Sequence, residues 1–145
     1  MLSRETITTL LIIAGAFQFV ICAMSLGLPR VLRWKEELAR LGSLNRHIFW
    51  VYSAYIFGTN LAIALLSTFA SAWLLDESKL AAAVSGYIML YWGARFLIQL
   101  FGYRGADIPK GIQYRLVDVA FTFVFAYLGF VYAAALTHNV GSAAL

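Results

Sequence analysis

Four apolar stretches, 7–28, 48–69, 80–102 and 116–137, constrain this chain more than any other feature of its sequence. Each is about the 20 residues that a helix needs to cross the hydrocarbon core of a bilayer. None alternates polar and apolar residues, and each is far longer than a membrane β-strand, so a barrel is excluded. Composition agrees: 62% of the 145 residues are hydrophobic and 12% are charged, against about 25% charged residues in soluble domains. The expected fold is all-α, a single integral-membrane domain made of a four-helix bundle.

Punctuation supports these boundaries. Pro29 is expected to close the first span, "DESK" separates the second from the third, and "RGADIPKG" turns the third into the fourth. Between the first two spans, Val31, Trp34, Leu38 and Leu41 recur at three- and four-residue spacing. Arg33, Lys35, Glu36, Glu37 and Arg40 fill most of the opposite face. That pattern predicts a short amphipathic helix in the headgroup plane, an interfacial anchor or a partner-docking surface.

Basic residues set the expected orientation. The first connection carries Arg30, Arg33, Lys35, Arg40 and Arg46, and the third carries Arg104, Lys110 and Arg115; the other side has only Arg4 and Lys79. Positive charge gathers on the cytoplasmic side. Both termini are therefore expected outside the cytoplasm, in a bacterial inner membrane. Trp34, Trp50, Tyr103 and Tyr114 then form an inner aromatic belt, with Trp73 at the outer face.

Sparse polar lines run along the spans. Gln18, Cys22 and Ser25 share a face of the first, and Ser53, Asn60 and Ser67 share one of the second. Tyr91, Arg95 and Gln99 line the third, and Asp118 and Thr122 the fourth. Gln18 and Asn60 fall near the midplane, where interhelical hydrogen bonds are their expected role. Arg95 lies seven residues before Gly102, roughly 10 Å from the end of its span. Asp118 enters the antiparallel fourth span at the same end and is the expected partner of Arg95, in a buried ion pair tying two helices together. The same residues, with Gln99, Tyr91, Arg46 and His47, are the candidate lining of an anion pocket. The small residues Ala126, Gly129 and Ala133, and Ala82 and Gly86, allow close helix approach within the bundle or between copies.

Several chemistries find no footing. His47 and His138 lie at opposite ends of their spans, about 30 Å apart, so bis-histidine haem ligation within one chain is not expected. No cluster suggests a metal, no Walker loop binds phosphate, and no nucleophile sits on a turn for Ser–His–Asp catalysis. Cys22 reads as a buried thiol, since bulky Val20 and Ile21 precede it and a lipoprotein site needs small residues. A catalytic residue is not assigned, a cofactor is not identified, and nucleic acid is not an expected partner.

The stretches "GLPRVLRWKEELARLGSLNRHIFWVYSAYI" and "WGARFLIQLF" resemble a group of small four-span bacterial membrane proteins. That resemblance implies the architecture and carries no activity. The outline is also similar to the membrane-associated proteins of eicosanoid and glutathione metabolism, with Asn45, Arg46, His47, Arg95 and Tyr103 at matching features. Ile48 follows Asn45 at the position where that family has glutamate. DoxX-like quinone-linked subunits match in span count. The leading expectation is a non-catalytic accessory or assembly subunit, in a homo-oligomer or a larger membrane complex. The alternative is a ligand-binding protein or glutathione- or quinone-linked membrane enzyme with an Arg95-centred pocket at the cytoplasmic leaflet.

Overall fold

The computed structural model describes residues 2–102 and 111–142, apart from the side chains of Gln113 and Ser142. Among these residues the chain is all-helical, and four helices are long and apolar enough to cross a membrane. The basic third connection, with Arg104, Lys110 and the belt residue Tyr103, lies outside the described residues.

Helix α1 (Arg4–Val31) opens on an N-cap: the Ser3 hydroxyl accepts the Thr6 amide at 3.2 Å, and Glu5 favours the positive end of the helix dipole. The helix runs on past Pro29 instead of closing there. A proline this near the end removes one hydrogen bond, and the Leu32 amide still reaches the Leu28 carbonyl at 2.9 Å. The chain turns at Arg33, whose backbone is left-handed at φ 51°. The expected amphipathic helix is correspondingly cut down to one α-turn, α2 (Trp34–Glu37), and a 3₁₀ turn over Leu38–Arg40. So short a helix pays the nucleation cost without the length to recover it. Packing fixes it: Leu38 is buried, and the Trp34 ring meets those of Phe49 and Trp50 edge to face at 4.8 and 5.7 Å.

Helix α3 (Ser43–Phe69) begins five residues before the apolar stretch does, because Asn45, Arg46 and His47 wind into its first turns. After a 3₁₀ turn (Ser71–Leu75), Ser78 caps α4 (Lys79–Leu97), accepting the Ala81 amide at 3.0 Å. Helix α4 widens into a π-helical turn over Ile98–Gly102. Helix α5 (Ile112–Ser142) extends beyond its apolar stretch at both ends.

The four long helices form two hairpins, α1 with α3 and α4 with α5, joined through α1 and α5. Lipid tails are as apolar as leucine, so packing and hydrogen bonds rather than water exclusion hold such helices together. Close approach matters accordingly. A Cβ on Gly15 would overlap the Thr68 hydroxyl and sit 3.1 Å from the Ala64 carbonyl oxygen, so α3 crosses α1 here on glycine. A Cβ on Gly129 would stand 3.9 Å from the Gly93 nitrogen, placing both glycines at the α4–α5 contact. Around these crossings Leu11, Ile63, Leu75, Ile88, Leu128 and Val131 fill the core.

Candidate functional site: the parted half of the bundle

Two ends of the molecule can be told apart by charge. The first connection marks a basic end; the termini and the 70–78 connection mark the opposite, terminal end.

The terminal half is tied across the two hairpins. The Tyr127 hydroxyl donates to the Leu10 carbonyl at 3.0 Å. Gln18 Nε2 donates to the Tyr132 hydroxyl at 2.7 Å, and that hydroxyl shares a further hydrogen bond with Ser67. Asn139, fully buried, donates to the Leu74 carbonyl at 2.8 Å and accepts the Glu77 amide at 3.0 Å, latching the connection onto α5. His138 Nε2 stands 3.7 Å from Glu77 Oε1 and lines a cavity of about 60 Å³ with Leu2, Ile7, Ala134 and Thr137.

Nearer the basic end, Tyr91 on α4 donates its hydroxyl proton to Asn60 Oδ1 on α3 at 2.8 Å. Of these cross-hairpin bonds it lies closest to the basic end. The guanidinium of Arg95, one turn further along α4, rests 5.0 Å over the Phe125 ring, within cation–π reach. Phe125 in turn stacks on Trp92 at 5.7 Å and on Phe121 at 5.5 Å. One more turn on, Gln99 Nε2 donates to Asp118 Oδ1 at 2.6 Å, joining α4 to α5. Gln99 is thus one hydrogen-bond partner of Asp118, beside the Thr122 hydroxyl, which donates to its backbone carbonyl. Arg46 and His47 stand exposed in the first turns of α3. Arg46 is fourteen residues from Asn60, about 21 Å along the helix, so the structure keeps it apart from the Tyr91–Asn60 pair.

Burial stops at one level in all four spans. Cys22, Asn60, Trp92 and Phe125 are the last buried residues on the way to the basic end, between 1 and 8% exposed. Beyond them no described side chain of 23–31, 43–59, 93–102 or 112–124 is buried. The hairpins bury each other fully over their terminal halves alone; in the basic, parted halves Phe96, Phe121 and Val124 are only half-buried against the core. Over the same half the helices expose large apolar side chains such as Tyr52, Tyr55, Leu97, Leu116 and Phe123, all more than half exposed. Its polar groups include Arg95, Gln99 and Asp118, and its floor is the Tyr91–Asn60 bond. The Trp92 indole nitrogen, at the same level, is buried with no hydrogen-bond partner.

Among the described residues no group of three or more His, Cys, Asp or Glu could hold a metal ion. The arrangement offers hydrogen-bond donors, one guanidinium and apolar walls. That chemistry suits binding and helix docking. Tyr127, Tyr132 and Asn139 were not singled out from the sequence. A tyrosine in an apolar run reads as packing until its hydroxyl is seen to bridge helices, and Asn139 lies beyond the apolar stretch. Family models, curated proteins and solved structures were compared with this chain, and none matches.

Proposed function

We propose that the chain is a non-catalytic accessory or assembly subunit of a bacterial inner membrane. Both termini lie outside the cytoplasm, and the parted half, in the cytoplasmic leaflet, is the surface on which another membrane-embedded element docks. The observation that carries this reading is the single level at which burial ends in all four spans. Asp118, Gln99 and Arg95 lie beyond or at that level, and polar groups at membrane depth turn towards protein or water rather than lipid. A further helix packing against these faces covers them together with the half-buried Phe96, Phe121 and Val124. The basic connections support the orientation.

Photo-crosslinking in native membranes tests it. A benzophenone side chain in place of Phe96 or Phe121, both half-buried in the parted half, should give a discrete higher-mass adduct. The same group at Leu80 or Val140, exposed at the terminal end, should not. An adduct at a multiple of 16.1 kDa identifies a second copy as the docked element. Equal labelling at all four positions, or none anywhere, rejects the proposal.

One observation favours a second reading. Arg95 over Phe125, beside the Tyr91–Asn60 pair, gives the parted half a cationic and hydrogen-bonding floor. That floor suits the anionic group of an amphiphile, or of a thiol-bearing cofactor, bound at the cytoplasmic leaflet. Arg95→Lys then keeps the fold but loses the small molecule, because lysine lacks the guanidinium fork. Native mass spectrometry of the mildly extracted protein reads the difference directly.

A further inference from the structure

The first connection concentrates charge in a way the docking reading does not use. Arg30, Arg33, Lys35, Arg40 and Arg46 stand against two acids, Glu36 and Glu37. Each acid is taken by a neighbour: Arg33 contacts Glu36 at 2.6 Å, and Arg40 approaches Glu37 at 3.9 Å. Arg30, Lys35 and Arg46 have no acidic partner among the described residues.

Topology brings these three cations to one end. Arg30 occupies the last turn of α1, Lys35 lies in α2, and Arg46 is in the first turn of the antiparallel α3. Beneath them the rings of Trp34, Phe49 and Trp50 form a cluster with centroids 4.8 to 6.1 Å apart. Indole rings favour the level of lipid headgroups. On the membrane side of Arg30 and Arg46 the side chains of Leu26, Leu28 and Ile48 are exposed and apolar. One covering must therefore meet cations above and hydrocarbon just below. A phospholipid does both, with phosphate and acyl chain; a soluble acidic protein or a nucleic acid would leave the apolar rim in water.

We infer that the first connection is a binding surface for anionic phospholipid, with Arg30, Lys35 and Arg46 meeting the headgroup and the Trp34–Phe49–Trp50 cluster anchoring the segment at the interface. The lipid is retained by charge as well as by burial, so binding is selective and falls as salt screens it. This surface stands whether or not the parted half receives a partner.

Tryptophan quenching in reconstituted full-length protein tests the inference. Trp92 is 1% exposed and shielded from lipid, so a Trp73→Phe background leaves Trp34 and Trp50 as the reporters. The protein is placed in vesicles of phosphatidylcholine and phosphatidylglycerol in which only one of the two lipids is brominated near the glycerol end of its chains. Brominated phosphatidylglycerol should quench at least about twofold more than brominated phosphatidylcholine at equal mole fraction. Half-molar sodium chloride should remove most of that excess, as should the triple change Arg30→Gln, Lys35→Gln and Arg46→Gln. Equal quenching by the two lipids at low salt overturns the inference. So does a preference that survives both salt and the triple change, because the lipid would then sit elsewhere. The salt arm uses the unaltered connection and does not depend on how well the triple variant folds.

Discussion

At the scale of single residues, the terminal half depends on one missing Cβ and one hydroxyl. Gly15 lets α3 cross α1, and an added methyl there would meet the Thr68 hydroxyl and the backbone of Ala64. Gly15→Ala should destabilise the bundle by about 1–3 kcal/mol, the usual range for overpacking. Thr68→Ala in the same chain should recover part of that loss. Thermal unfolding of the single and double variants in detergent checks both values, and strict additivity would sink the crossing as the cause. Tyr132 joins three helices through Gln18 and Ser67. Tyr132→Phe keeps the ring packing and removes the hydroxyl, so the expected loss is about 0.6–2 kcal/mol; once Gln18→Leu is present, the same change should lose less. Gln18 and Asn60 were legible from the sequence as polar residues near the midplane. Tyr91 was legible as a polar group of the third span and Tyr132 was not, and neither pairing was, because pairing requires knowing which helices are neighbours.

At the scale of elements, the apolar stretches announced the four long helices, and the surprises lie at their ends. Hydropathy reports how far a helix runs through lipid, while hydrogen bonding decides how far it continues. Hence α3 and α5 outrun their apolar stretches, and α1 passes Pro29 to end at Val31, before the turn at Arg33. Arg33→Gly should leave stability unchanged or slightly raised. Glycine adopts φ 51° without the Cβ penalty, and the exposed contact to Glu36 contributes little. Asn139 is the opposite case, a buried side chain holding a connection. Asn139→Leu leaves the Glu77 amide without its partner and the Leu74 carbonyl with only the long 3.5 Å bond from the Ser85 hydroxyl, at a loss of about 1–3 kcal/mol. Amide exchange should quicken over 71–78 first, and exchange unchanged there would show that the latch does not hold the connection. Within that connection, hydrogen bonds from the Ser78 hydroxyl and amide hold the Asp76 carboxyl below its ordinary value. A depressed folded-state pKa means this turn is complete above the usual carboxylate range near pH 4 and is lost as pH falls through the lowered value. The Ser78 amide resonance should report that titration.

For the whole molecule, the bundle is two hairpins fastened at one end, an asymmetry the sequence conceals. Apolar residues run the length of all four spans, and periodicity places a face without saying whether a neighbour covers it. Arg95, Gln99 and Asp118 could be placed at one end from spacing alone; that they line a parted region follows only from the relative positions of the helices. Two spin-label pairs across α3 and α4 make the parting measurable, in a Cys22→Ala background. Labels at Leu65 and Leu80 report the terminal half, and labels at Tyr52 and Leu97 report the basic half; all four positions are exposed. The terminal pair should give a narrow distance distribution, because the Gln18–Tyr132–Ser67 bonds and the Asn139 latch fix that half. The basic pair should give a broader one in detergent, since the nearest cross-hairpin bond is Tyr91–Asn60, well back along α4. In native membranes the proposed docking of a further element should narrow the basic pair to a single distance. A basic pair already as narrow as the terminal pair in detergent would mean that the four helices complete their own packing, leaving no place for a partner between the hairpins.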